Sequence, residues 1–411
     1  MQVAVFHPGT QHSWQTAAAL QDLGRLEFYA TSIFYQPERF PYLLERLPRI
    51  GAHLHREFRR FSHPALDPAL VRTSGLTEWA ERIAARTGLR RTAGWLDAYG
   101  NRRFVSAIAA DLRSDREFAL WGYNGSSLTS FELARSQGRR CILDRTNGDF
   151  RIYNAMMADL REAYGDWFLP TELAEPAANI ARDAREYELA DTILVGCDFA
   201  AQTIRDAEPH PAIAAKLQVM DYCYDEALFG GAPAPLPVPR SGPVRFLFLG
   251  TAIPRKGIHH VLEAIARLPA DQAELTIVGD LRVPARAFAP FASRVTHIPT
   301  VARADVPAIM RAHHVFLLPS YFEGAGITLY EALASGMALI QSRNCAHAVT
   351  PETGIMLDRI DTDSLHQAML DAIADRDRLD AWRAAAPVRA QDFSFARYRD
   401  GIAALLERMG I

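Results

Sequence analysis

Glu323 and Glu331 bracket a short glycine-bearing stretch in VFLLPSYFEGAGITLYEALASGMALIQS, residues 315–342. The apolar run 315–318 has the length of a buried strand, Pro319 stops it, and Gly324 and Gly326 keep the next turn bare. Helical character over 327–335 ends at Gly336, a residue suited to the left-handed position that follows a helix. A strand, a glycine loop and a helix start together present unpaired backbone N–H groups, which receive anions and above all phosphates. A carboxylate aimed at a phosphate would repel it, so Glu323 and Glu331 suit the hydroxyls of a ribose or a sugar. Taken alone, two glutamates at a βα turn also fit an ordinary surface turn.

A second segment, RFLFLGTAIPRKGIHHVLEAIARL over 245–268, has related chemistry. A strand runs into Gly250, a short loop follows, and Arg255, Lys256 and Gly257 introduce an amphipathic helix with Val261, Leu262 and Ile265 on one side. The loop falls at the carboxyl end of a strand, where open α/β sheets bind ligands. Cations at the positive end of a helix dipole are unfavourable unless an anion is present. The chain has only two lysines, Lys216 and Lys256, amid many arginines, which points to a need for a compact ammonium at position 256.

The elements that must position these groups come from alternating apolar runs and helical patterns, the signature of α/β units with parallel sheets. Strands are expected at 3–6, 27–29, 118–121, 141–143 and 192–195, then at 244–249, 275–278, 315–318 and 338–340. Between the two series, GGAPAPLPVPRSGP at 230–243 has five prolines, which fit neither a helix interior nor a central strand. At 411 residues the chain exceeds what one core usually serves. The predicted organisation is a domain over 1–229, a linker over 230–243, a domain over 244–392, and a terminal helix in 393–411 that is a candidate to cross back to the first domain.

A net charge of −3 gives no electrostatic reason to expect a nucleic acid partner. Cys141, Cys197, Cys223 and Cys345 are scattered and make no C-x-x-C spacing, so a cytoplasmic location is expected. MQVAVFHPG reads as a first strand and not as a signal peptide, and no apolar stretch approaches the roughly 20 residues of a membrane span.

The 315–342 segment resembles the signature of family 4 retaining glycosyltransferases: a strand ending in Pro-Ser, then Glu-Gly-x-Gly, then Glu-Ala, with seven residues between the glutamates. Pro319, Ser320, Glu323, Gly324, Gly326, Glu331, Ala332 and Gly336 fall in place. The resemblance implies a GT-B fold, two Rossmann-like domains facing across a central cleft. It also implies Glu323 near the transferred sugar, Glu331 on the nucleotide ribose, and the amides of Ile327, Thr328 and Leu329 on the diphosphate. Lys256 matches a family lysine that contacts the diphosphate. The family commonly has an arginine directly after the strand glycine, where this chain has Thr251, and Arg255 is a candidate to substitute for it.

The first turn, HPGTQHSWQTAAAL, is the expected place for a glycine loop, with Gly9 and Thr10 near the donor phosphates, although the family usually shows two adjacent glycines. A cleft histidine common in the family is absent from CILDRTNGDF, which offers Asp144, Arg145, Asn147 and Asp149; each of these also fits a loop residue with local turn bonds. His7 and His12 read as structural or solvent-facing in preference to catalytic. The arginine-rich stretch 43–103 looks like an insertion. Within it, 43–61 interleaves Arg with Leu, Ile and Phe, which leaves two readings, a helical layer on the sheet or peripheral docking at the inner membrane face beside a lipid-linked acceptor.

The implied activity is transfer of a sugar from a nucleoside diphosphate sugar to an acceptor hydroxyl of a saccharide, a lipid-linked carrier or a small molecule. Retention of configuration is implied, with no cofactor and no metal, since Lys256 and Arg255 can neutralise the leaving group. A catalytically silent nucleotide-sugar-binding subunit is the rival, motivated by Thr251 and the missing histidine; an epimerase or a phosphorylase of similar architecture is more remote.

Overall fold

A computed structural model describes residues 1–9, 12–63, 65–73, 104–231 and 233–411. Thr10 and the 74–103 part of the expected insertion lie outside the described residues.

The first strand series forms β1 (Gln2–Phe6), β2 (Leu26–Thr31), β3 (Val71–Thr73), β4 (Phe118–Tyr123), β5 (Cys141–Arg145), β6 (Thr192–Val195) and β7 (Leu217–Val219). They make a seven-stranded sheet in the order β3-β2-β1-β4-β5-β6-β7. The second series forms β8 (Val244–Leu249), β9 (Ala273–Val278), β10 (Val295–Ile298), β11 (Val315–Leu318), β12 (Ala338–Gln341) and β13 (Gly354–Met356), in a six-stranded sheet of order β10-β9-β8-β11-β12-β13. The described pairings β1 with β2 and β4, and β8 with β9 and β11, are all parallel. Central strands such as VAVF and VFLL are buried along their whole length because helices cover both faces, which is why they read as continuous apolar runs. The four strands that the apolar pattern did not reveal, β3, β7, β10 and β13, are three or four residues long. They lie at sheet edges, where burial is partial and polar residues such as Arg72, Gln218 and His297 are tolerated.

The chain divides into two compact units. One comprises Met1–Arg145, Ala181–Leu194 and Arg399–Ile411; the other comprises Thr146–Ile180 and Val195–Tyr398. Within the first, the end of the terminal helix Phe395–Arg408 is held by Arg399 on Asp22 at 2.8 Å and by Arg140 on the Met409 carbonyl. Within the second, the proline-rich stretch 230–243 is not a loose tether. Val238 is buried in the core of the second sheet and its amide donates to Asp380 at 2.7 Å, while Arg383 donates to the Leu236 carbonyl at 2.6 Å.

The 43–61 stretch is only partly a packed layer. Helix Gly51–Phe58 turns Phe58 inward with Tyr42 and Ile33, yet Leu47 and Ile50 stay 44% and 51% exposed. Among the described residues, no helix is long and apolar enough to cross a membrane.

Candidate functional site

The second unit brings the two charged turns together. Strand β8 is followed by Gly250, whose φ of 131° is a conformation that side-chain-bearing residues rarely adopt. A Cβ there would also lie 3.4 Å from the Lys256 ammonium. The turn closes through a 3-10 segment, Pro254–Lys256, and Gly257 at φ 70°, before helix Ile258–Ala266. A Cβ on Gly257 would come within 2.3 Å of the Pro319 carbonyl oxygen, so this glycine lets the β8 turn lie against the turn that follows β11. The Tyr321 amide donates to the Arg255 carbonyl at 2.8 Å, and the Arg255 guanidinium donates to the Phe322 carbonyl.

This docking places two cations on one carboxylate. Lys256 Nζ is 3.1 Å and Arg255 Nη1 3.2 Å from Glu323 Oε1, and the Ser320 hydroxyl donates to the same oxygen at 3.2 Å. Among the described residues, the contacts of this carboxylate all fall on Oε1 and none on Oε2. Glu323 is only 9% exposed. Burial alone would raise its carboxyl, but Lys256 and Arg255 outweigh that and hold it below the usual carboxylate range, so it is an anion at neutral pH.

The glycine loop is clamped. A Cβ on Gly324 would stand 1.7 Å from the Thr146 carbonyl oxygen, and the Cys197 thiol donates to the Gly324 carbonyl at 2.9 Å. Gly326 sits at φ 82°. The following helix, Thr328–Ala334, is shorter than the expected 327–335, so its dipole is small and the charge of the site comes chiefly from Lys256 and Arg255. The Leu329 amide is already given to the Gly326 carbonyl at 2.8 Å, whereas the amides of Ile327 and Thr328 donate to no backbone carbonyl among the described residues. Of the three expected diphosphate donors, these two are available.

Glu331 is buried in the same helix and is gripped by a residue that the sequence reading did not single out. Arg303 approaches both carboxylate oxygens, with Nη1 3.1 Å from Oε2, and its guanidinium lies 4.9 Å from the centre of the Phe229 ring. Burial pushes the Glu331 carboxyl up, against the opposing pull of Arg303. With 27 residues between Arg303 and Glu331, no local spacing rule links them.

Gly9 belongs to the other compact unit. A Cβ there would lie 2.9 Å from His7 Nε2, so the glycine is explained by the imidazole beside it. His7 is buried against Tyr123, and burial, aided by His12, lowers its pKa to about 4; burial does the same to His12, also to about 4. Both are neutral at physiological pH. Three of the four groups offered in place of a cleft histidine have structural work. Asp144 receives the Trp121 indole N–H at 3.3 Å, Arg145 pairs with Asp183 at full burial, and Asp149 caps helix Phe150–Tyr164 through the Arg151 amide at 2.9 Å. Among the described residues, no group of three or more His, Cys, Asp or Glu is placed to hold a metal ion.

Residues 237–389 match the family model described as Glycosyl transferases group 1. The D-inositol 3-phosphate glycosyltransferase of Rhodococcus opacus is 28% identical over 172 residues, 38% of this chain and 39% of the relative. The chain thus spans about two fifths of the length of the curated relatives first matched. Among solved structures, sucrose-phosphate synthase from Thermosynechococcus elongatus superposes with a TM-score of 0.63 at 16% identity, covering 100% of this chain and 99% of that one. The Anabaena protein HepE in complex with UDP-glucose gives a TM-score of 0.61 at 12% identity, with coverage of 99% and 100%. The fold of the chain is therefore that of the GT-B glycosyltransferases, and the segment that holds Lys256, Glu323 and Glu331 matches the glycosyl transferases group 1 family.

Proposed function

We propose that the chain is a glycosyltransferase that moves a sugar from a nucleoside diphosphate sugar to an acceptor hydroxyl, with retention of the anomeric configuration and without a metal ion. The observation that carries this reading is the convergence of Lys256 and Arg255 on one oxygen of buried Glu323, directly before a glycine loop with open amides. In the reaction, the bond between the anomeric carbon and the diphosphate oxygen breaks, and the acceptor oxygen bonds the same carbon on the same face. The acceptor proton passes to the departing phosphate oxygen. The negative charge developing on that oxygen is what Lys256, Arg255 and the amides of Ile327 and Thr328 offset, from positions set before the substrate arrives.

Glu323 has two tasks in this scheme. Oε1 aligns the two cations, and Oε2 accepts a hydroxyl of the transferred sugar, which orients the anomeric carbon. The family match of 237–389 and the UDP-glucose bound by HepE support a nucleoside diphosphate sugar as donor. Thr251 supplies no cation, so leaving-group stabilisation falls to the Arg255–Lys256 pair.

Calorimetric titration of UDP, GDP and ADP without added metal, into the wild type and Glu331→Ala, tests the reading. One nucleotide is expected to bind with micromolar affinity and to weaken by about tenfold in the variant, the size of one charge-assisted hydrogen bond. A folded wild type that binds none of the three would overturn it.

A further inference from the structure

Beside Arg255, wholly within the second compact unit, lies a cavity of about 380 Å³. That volume is within the range of small-molecule sites, roughly 300–1,000 Å³. One wall comes from the family-like segment through Ile253, Arg255 and Arg282. The remainder comes from helix Phe150–Tyr164 and the stretch after it, 165–174, outside the residues that match the family model. The stretch is held in place by Asn154, whose side chain donates to the Glu175 carbonyl at 2.9 Å and accepts from the Glu175 amide at 2.8 Å.

The lining has an uneven chemistry. Three guanidiniums, Arg161, Arg255 and Arg282, face one carboxylate, Glu172. Arg255 is bound to the Glu323 cluster, and Arg161 is braced over the Phe168 ring at 4.7 Å while donating to the Glu172 carbonyl. The Arg282 guanidinium makes no hydrogen bond or ion pair among the described residues. Glu172 Oε1 is sealed from solvent and has no hydrogen-bond partner among the described residues. Burial raises the Glu172 carboxyl, with Arg282, Arg161 and Arg255 pulling the other way. An unpartnered buried acceptor is costly, and a hydroxyl donor would recover that cost. Guanidinium forks match phosphate oxygens in pairs. Tyr153, Met157 and Phe168 supply apolar faces suited to packing against the C–H side of a sugar ring.

We propose that this cavity is the acceptor subsite and that the acceptor is a sugar phosphate, its phosphate read by Arg161 and Arg282 and one hydroxyl received by Glu172. The acceptor role rests on the transferase reading above; the anion-binding chemistry of the cavity does not. Arg255, shared by the cavity wall and the Glu323 cluster, puts the acceptor next to the leaving group.

The test is a calorimetric titration of the wild type with glucose and mannose, their 1- and 6-phosphates, and inorganic phosphate, each without and with saturating nucleoside diphosphate. At least one ester should bind about tenfold tighter than its parent hexose and than inorganic phosphate. That binding should survive saturation with nucleotide and fall to the hexose level in Arg161→Gln/Arg282→Gln, with the melting temperature of the double variant checked for an intact fold. If no ester outperforms its hexose, or if nucleotide displaces the ester competitively, the proposal is overturned; in the second case the cavity holds the donor's own phosphates. An ester that binds the double variant as well as the wild type also overturns it. Nucleotide binding without ester binding removes this proposal and leaves the transferase reading standing; ester binding without nucleotide binding overturns the transferase reading and the acceptor role with it, and leaves only a sugar-phosphate site.

Discussion

The turn after β1 and the turn after β8 hold the same place in two sheets whose first six strands share one order, each following a strand flanked by its sequence successor on one side and by the strand three further along on the other. Topology makes both of them ligand sites in principle. They differ in what fills them. After β8, glycines at 250 and 257 draw the turn close enough for Lys256 and Arg255 to meet Glu323. After β1, the space beside Gly9 is taken by the His7 ring, and the nearby ionisable groups, His7 and His12, are kept neutral by burial. The difference teaches that the fold offers the location, while two or three side chains decide whether it holds charge.

The comparison breaks most sharply at Lys256. In Lys256→Ala, turnover of a matched donor and acceptor should fall by about 100-fold or more, the scale of removing one preorganised stabiliser of transition-state charge. Activity near that of the wild type would mean that the β8 turn is no more catalytic than the β1 turn.

Acid titration gives a smaller effect. His7 and His12 have folded pKa values near 4, below the unfolded value of 6.5, so between those limits the unfolded chain binds more protons than the folded one. Stability should be full above about pH 6.5 and decline as the pH falls toward 4, by on the order of 1 kcal/mol or more per buried histidine. His259 and His260, lowered to about 2 and about 4 by burial, add to the same slope from the second unit. Denaturant unfolding across this window should show His7→Leu/His12→Leu with a flatter profile than the wild type; an unchanged slope would place the acid sensitivity elsewhere.

The smallest effect is expected for His7→Leu at pH 7.5. The Nδ1 atom of His7 is buried without a partner among the described residues, and replacing such a group by an apolar one is near neutral or stabilising. Steady-state turnover should stay within about twofold of the wild type. A collapse of activity in a folded variant would make the β1 turn a second catalytic turn.

The central strands were legible because burial on both faces demands unbroken apolar runs, and β6, β8 and β11 have the very bounds that the runs suggest. The two charged turns were legible for the same local reason, as glycine, proline and cation spacing is read along a few residues. Edge strands were not, because partial burial permits polar residues that erase the pattern. The proline-rich segment could be excluded from helix and sheet by covalent geometry alone, but nothing local revealed that Val238 is core.

The sequence by itself determined the α/β class, the chemistry of the Glu323 and Lys256 segments and the elements that present them, since those depend on periodicity and near-neighbour spacing. Tertiary structure alone decided that Lys256 and Arg255 share one oxygen of Glu323, that Arg303 holds Glu331, and that Arg161 and Glu172 meet Arg282 around a cavity. Each of these is a contact between segments distant along the chain, and only the packing of whole elements can set such a distance.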